Sequence, residues 1–124
     1  MPAATKKTPS RRKRNPASRS EVIVIDPLGN LVLFSPDRWD NHILPRHPEM
    51  TGRWEQAMET VRNPVRITLR PGRWISACAY YRRFPGIFIR VIADIARNQA
   101  GKLTLGTAYG VMEFSAKEEI LWEK

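Results

Sequence analysis

From Glu21 onward, short apolar runs alternate with turn-forming residues along most of the chain. Val22–Ile25 and Leu31–Phe34 are β-rich runs, and Asp26-Pro27-Leu28-Gly29-Asn30 between them has turn chemistry, so a hairpin is expected. Ser35-Pro36-Asp37 reads as a helix start. Serine caps the first orphan amides, and proline suits the first helical position, where its missing N–H is not needed. A short helix is expected from Pro36 to about Leu44, where Pro45 stops or kinks it. Met50, Trp54, Ala57, Met58 and Val61 fall at offsets 0, +4, +7, +8 and +11, one stripe of a second helix that starts near Pro48 and closes at Asn63-Pro64.

The rest reads as sheet. Val65, Ile67 and Leu69 alternate with Arg66, Thr68 and Arg70, the pattern of a half-buried strand. Pro71-Gly72 is a turn, Trp74–Arg82 a strand, Pro85-Gly86 a turn, and Ile87–Ile95 a further strand. Arg97–Gly101 is polar and turn-like, and Leu103–Tyr109 is the last strand. Ser115-Ala116-Lys117-Glu118 matches a capping box, which predicts a short terminal helix. Helices followed by closely connected strands imply an α+β fold, an antiparallel sheet with its helices on one face.

Charge changes this picture at one end. Among 124 residues the formal net charge is +9, but it is unevenly placed. Residues 1–20 hold Lys6, Lys7, Arg11, Arg12, Lys13, Arg14 and Arg19 and no acid, and the other residues are nearly balanced, with 14 basic and 12 acidic groups. A segment so poor in large apolar side chains cannot offset its ordering entropy, so residues 1–20 are expected to be a disordered basic tail ahead of a single domain over 21–124. Such a tail suits an electrostatic tether to phosphates, or a solubilising segment or linker. No apolar run approaches the roughly 20 residues of a membrane span, and no apolar stretch follows the basic N-terminus as in a secretory signal. The lone Cys78 rules out an intrachain disulfide and fits a reducing cytoplasm.

Candidate chemistry concentrates in Asn41-His42-Ile43-Leu44-Pro45-Arg46-His47-Pro48-Glu49. Histidine exchanges protons near neutral pH, a carboxylate beside it orients it or acts as a base, and arginine stabilises charge on a phosphoryl oxygen. These are the components of RNA cleavage without a metal. The same residues also suit plainer roles, with His47 capping the second helix and His42 forming a wall. Two histidines without a nearby cysteine make an incomplete zinc set. Tyr80-Tyr81-Arg82-Arg83 and Thr107-Ala108-Tyr109, each at a strand end, offer stacking and phosphate-gripping groups, although one tyrosine equally suits the core.

His42-Ile43-Leu44-Pro45-Arg46-His47-Pro48-Glu49 resembles the "HI…RHPE" signature of the phage-associated barnase–EndoU–colicin–RelE-like (BECR-fold) nuclease domains. Glu59-Thr60-Val61-Arg62-Asn63-Pro64 is similar to that family's "ETV…P" element, and Thr107-Ala108-Tyr109 to its closing "TAY". Tyr80-Tyr81-Arg82 and the Phe34–Trp39 segment extend the likeness over roughly residues 31–110. The resemblance implies N-terminal helices packed on a four-stranded antiparallel sheet, as in microbial ribonucleases. It also implies a metal-independent endoribonuclease without cofactor, often a toxin or a phage or mobile-element nuclease. In that reading His42, His47, Glu49 and Arg82 are catalytic, and Arg46, Tyr80, Thr107 and Tyr109 bind substrate. The expected partner is RNA, with a neutralising antitoxin or assembly partner beside it. Two other readings suit the sequence: a non-catalytic nucleic-acid-binding module that uses the basic tail, and a phage structural or interaction module with Trp39 and Trp122 at a protein interface.

Overall fold

The computed structural model describes residues 20–71, 76–95 and 101–124. The β-rich runs form β1 (Val22–Ile25) and β2 (Leu31–Phe34), the expected antiparallel hairpin. Asp26 organises its turn, with Oδ1 accepting from the amides of Leu28 and Asn30, both at 2.8 Å. Later come β3 (Arg66–Arg70), β4 (Ala77–Phe84), β5 (Ile87–Ile95) and β6 (Lys102–Gly110). β4 and β5 meet in a tight turn at Pro85-Gly86, where Gly86 takes a φ of 83°, a region a Cβ disfavours. β4 continues beyond the expected end at Arg82, because Arg83 and Phe84 still pair with Phe88 and Ile87. Trp74, Gly72 of the Pro71-Gly72 turn, most of the Arg97–Gly101 stretch and the tail residues Lys6, Lys7, Arg11, Arg12, Lys13 and Arg14 lie outside the described residues.

The expected arrangement of helices on a four-stranded antiparallel sheet does not hold. One mixed sheet of seven strands has the order β1-β2-β6-β5-β4-β3-β7, with β7 at Glu119–Glu123. The N-terminal hairpin is part of this sheet. A two-stranded hairpin alone is marginal in water, and here β2 runs parallel to β6, pairing Leu31, Val32 and Leu33 with Lys102, Leu103 and Thr104. The expected terminal helix is absent too. Glu118 spends its carboxylate on Arg90, Thr68 and Tyr81 rather than on a helix start, and the following residues pair with β3 as β7.

Helix is correspondingly scarce. The segment after β2 is α1 (Pro36–Arg38), a π turn over Trp39–Ile43 and α2 (Leu44–Arg46). Ser35 caps it as expected, its Oγ accepting from the Arg38 amide. The run does not stop at Leu44. The Leu44 amide bonds to the Trp39 carbonyl, and this wider turn relaxes the clash that a proline ring makes with the preceding turn, so Pro45 is carried inside. A 3₁₀ turn at Pro48–Met50 and a left-handed Gly52 (φ 77°) then delay the second helix, and α3 spans only Trp54–Arg62. It is the one regular helix of any length among the described residues, and none of them forms a helix long and apolar enough to cross a membrane.

The stripe on α3 faces the sheet as its spacing requires: Trp54, Ala57, Met58 and Val61 are buried. They join Val24, Val32, Phe34, Trp39, Ile43, Met50, Ile67, Tyr80, Ile89 and Val91 in one core on the helix side. Trp54 meets Phe34 and Trp39 edge to face, with ring centroids 5.7 and 5.5 Å away. Trp39, considered above for a protein interface, is 1% exposed and belongs to this core. The opposite face carries a smaller cluster of Ala77, Ala79, Tyr81, Phe88 and Ile92, with Phe114 laid across it.

Tyr80 is completely buried on the helix side and donates to Asp26 Oδ2 at 2.6 Å. Burial and the neighbouring Asp26 carboxylate push its phenol far above the ordinary range, so it stays a hydrogen-bond donor. Tyr80→Phe is expected to lower unfolding free energy by about 1–2 kcal/mol, the cost of an Asp26 oxygen left short of a donor. Urea denaturation of the variant measures it.

Candidate functional site

β2 pairs with β6 only as far as Thr104, so the outer edge of β6 beyond that point needs other partners. The helical segment supplies them. Arg38 Nε donates to the Gly106 carbonyl at 2.8 Å, and the Gly110 amide donates to Glu49 Oε2 at 3.2 Å. Trp39, Ile43 and Met50 sink into the helix-side core. Arg38, His42 and Arg46, spaced by four, then form one stripe that turns towards the opposite face of the sheet.

There the stripe and His47 wall a cleft of about 300 Å³, whose other wall is Arg70, Ile92, Asp94, Gly106 and Thr107. Strand register explains the second wall. Arg70 pairs with Ala77 and Ala77 with Asp94, so a small methyl lies between the two charged side chains. Ile92 pairs with Thr107 one step along, just before a register shift. Gly106 sits at that irregularity, where a Cβ would lie 3.1 Å from Asp94 Oδ2 and 3.2 Å from the Ile92 carbonyl. Its missing side chain is therefore a packing requirement of the cleft. Among the described residues, three guanidinium groups and two imidazoles surround this space, with Asp94 the one carboxylate in its lining. No ion pair among the described residues engages Arg46 or Arg70.

The His47 imidazole lies against the Tyr109 ring, with centroids 5.0 Å apart and planes 24° from parallel. Its Nδ1 is 3.8 Å from Glu49 Oε2. The Tyr109 hydroxyl accepts from Arg90 Nη1. Arg90 also donates through Nε to the Tyr81 hydroxyl at 2.8 Å and through Nη2 to Glu118. Glu118 accepts from Thr68 at 2.8 Å and from Tyr81 at 3.0 Å. The Arg90 and Glu118 side chains are 11% and 8% exposed. Burial pushes the Glu118 carboxyl up, but hydrogen bonds from Thr68, Arg90 and Tyr81 outweigh it and hold the group below its ordinary value. Burial likewise pulls the Arg90 guanidinium down, and Glu118 and the two phenols more than restore it.

Of the residues singled out from the sequence, His42, Arg46, His47 and Thr107 line the cleft, and Glu49 and Tyr109 brace His47 from beside it. Arg82 and Tyr80 are not brought there. Both follow the inward parity of β4 towards α3: Arg82 donates to the Asn63 carbonyl at 2.6 Å, and Tyr80 is core. Arg38, Arg70, Asp94 and Arg90 were not visible from motif spacing. A signal for the last two was present, since Arg90 and Asp94 are the charged residues of the otherwise apolar Ile87–Ile95 and share one face of it. Among the described residues no group of three or more His, Cys, Asp or Glu side chains is placed to hold a metal ion. No family model, curated protein or solved structure matches the chain.

Glu118→Gln tests the buried pair. Because the folded carboxyl is held below 4.5, ionised Glu118 stabilises the fold above that pH, and the contribution is lost as pH falls through the lowered value. The wild type is expected to exceed the variant by about 3 kcal/mol at neutral pH, the cost of leaving Arg90 without its counterion. The gap should close in strong acid. Urea titrations across the acidic range read both ends.

Proposed function

We propose that the cleft is the active site of an endoribonuclease that works without a metal, in keeping with the resemblance of the His42–Glu49 stretch to a phage-associated nuclease signature. The observation that carries this reading is the convergence of His42, His47, Arg38, Arg46 and Arg70 on one open space. A phosphodiester fits that chemistry: guanidinium groups grip its oxygens and stabilise the charge that gathers on them in the transition state. One imidazole takes the ribose 2′-OH proton as that oxygen attacks phosphorus. The other gives a proton to the departing 5′-oxygen. The P–O5′ bond breaks as the P–O2′ bond forms, leaving a 2′,3′-cyclic phosphate and a 5′-hydroxyl. Glu49 orients His47, and the Thr107 hydroxyl hydrogen-bonds the substrate. Arg38 and Arg70 take the phosphate-holding part first assigned to Arg82.

The same excess of basic groups suits a second reading, a module that binds RNA without cutting it. The two separate on histidine loss. Full-length protein incubated with single-stranded RNA and a chelator is expected to release fragments ending in cyclic phosphate. His47→Ala should slow this by about 10²- to 10⁴-fold, while RNA binding changes little. Binding that survives with no cleavage by the wild type would favour the module and end the enzymatic reading. Arg70→Ala should weaken both cleavage and binding, and Arg82→Ala should leave cleavage near the wild-type rate.

A further inference from the structure

Glu118 is far from the histidines in sequence and lines no part of the cleft, yet an unbroken chain of contacts joins it to His47. Glu118 fixes Arg90 from one side, and the Tyr81 hydroxyl fixes it from another. The remaining nitrogen of the guanidinium holds the Tyr109 hydroxyl. Tyr109 is a half-buried residue near the end of β6, and its ring is the flat surface on which the His47 imidazole lies. His47 has its own backbone at a break between helical turns, with φ −133° and ψ 70°, so no regular helix sets its ring angle. Glu49 touches it only at the loose distance of 3.8 Å. The firmest restraint on the imidazole plane is therefore the Tyr109 ring, and the firmest restraint on that ring is the guanidinium bonded to its hydroxyl.

We propose that Arg90, latched by Glu118, is a positioning residue: it sets the plane of the His47 imidazole through the Tyr109 ring. This rests on the reading of His47 as a proton-transfer group. A planar guanidinium suits the role because its five N–H donors are fixed in one fork. It grips Glu118, Tyr81 and Tyr109 at once and cannot rotate to satisfy one without releasing another. Proton transfer is steep in angle and distance, so a ring free to rock spends less of its time aligned with the 2′-oxygen or the 5′-oxygen. Substrate affinity, which comes from Arg38, Arg46 and Arg70, is set elsewhere.

Arg90→Lys and Tyr109→Phe, singly and together, test this in the full-length protein. Lysine keeps the charge opposite Glu118 but loses the fork, and phenylalanine keeps the stacking surface but loses the anchored hydroxyl. In the wild type, the His47 ring protons should resonate upfield because they lie over an aromatic face. Each single variant is expected to lose part of that shift. Each should also lower kcat for RNA cleavage by about ten- to a hundredfold with KM within about twofold. The double variant should be no worse than the worse single one, because both act on one path. Unchanged His47 resonances in Tyr109→Phe, or additive losses in the double variant, would overturn the proposal. If Arg90→Lys does not fold, Tyr109→Phe decides alone, since it removes one hydroxyl and no buried charge. If the wild type cuts no RNA, the enzymatic reading fails, and the resonance shifts still decide whether Arg90 orients His47.

Discussion

Beyond Thr104 the outer edge of β6 loses its strand partner, and most of the cleft's geometry follows from how that edge is satisfied. Backbone groups in a packed interior demand partners, and an open strand edge invites another chain. Here side chains answer the demand: the Arg38 guanidinium takes the Gly106 carbonyl, and the Glu49 carboxylate takes the Gly110 amide. These two bonds lie near the two ends of the irregular helical segment and pin it along the strand. With its apolar residues committed to the core side, its basic residues have only the other face to occupy. Edge protection and site construction are thus one event.

The two faces of the sheet are built on different principles. On the helix side, tryptophans, aliphatics and Tyr80 fill a continuous core in which almost nothing is charged. On the other side the apolar cluster is small, and a nearly buried Arg90–Glu118 pair sits beside it. Taking two charges out of water costs several kcal/mol, and their attraction offsets this only when other hydrogen bonds complete the arrangement. Thr68, Tyr81 and Tyr109 complete it. The return is geometric definition more than stability. A guanidinium held by three groups defines directions that an apolar cluster of the same volume would leave open.

Much of this was legible in the residues and some was not. The hairpin, the α3 stripe and strands β3 to β6 followed from period and turn chemistry, because side-chain alternation is a local property. His42 and Arg46 share the cleft because a spacing of four on a helical run keeps side chains on one stripe, and His47 joins them from the break that follows the run. Sheet order was hidden, since nothing local in Leu31–Leu33 announces a parallel partner at Lys102–Thr104. Ser115…Glu118 misled for a related reason: a capping box is a local preference, and a buried arginine elsewhere in the chain outcompeted it. Arg82 misled through parity. The register of β4 turns Tyr80 and Arg82 inward together, and only Tyr81 and Arg83 face the side where the cleft opens.

The parallel pairing of β2 with β6 also orders events in time. β6 lies between β2, made well before it, and β5, made just before it, so the helical segment lacks the strand that walls its cleft until residues 102–110 have left the ribosome. Contacts of such long sequence separation close late and slowly. A growing chain therefore carries both histidines before β6 is there to wall their cleft, and the topology leaves that cleft unformed until residues 102–110 have emerged.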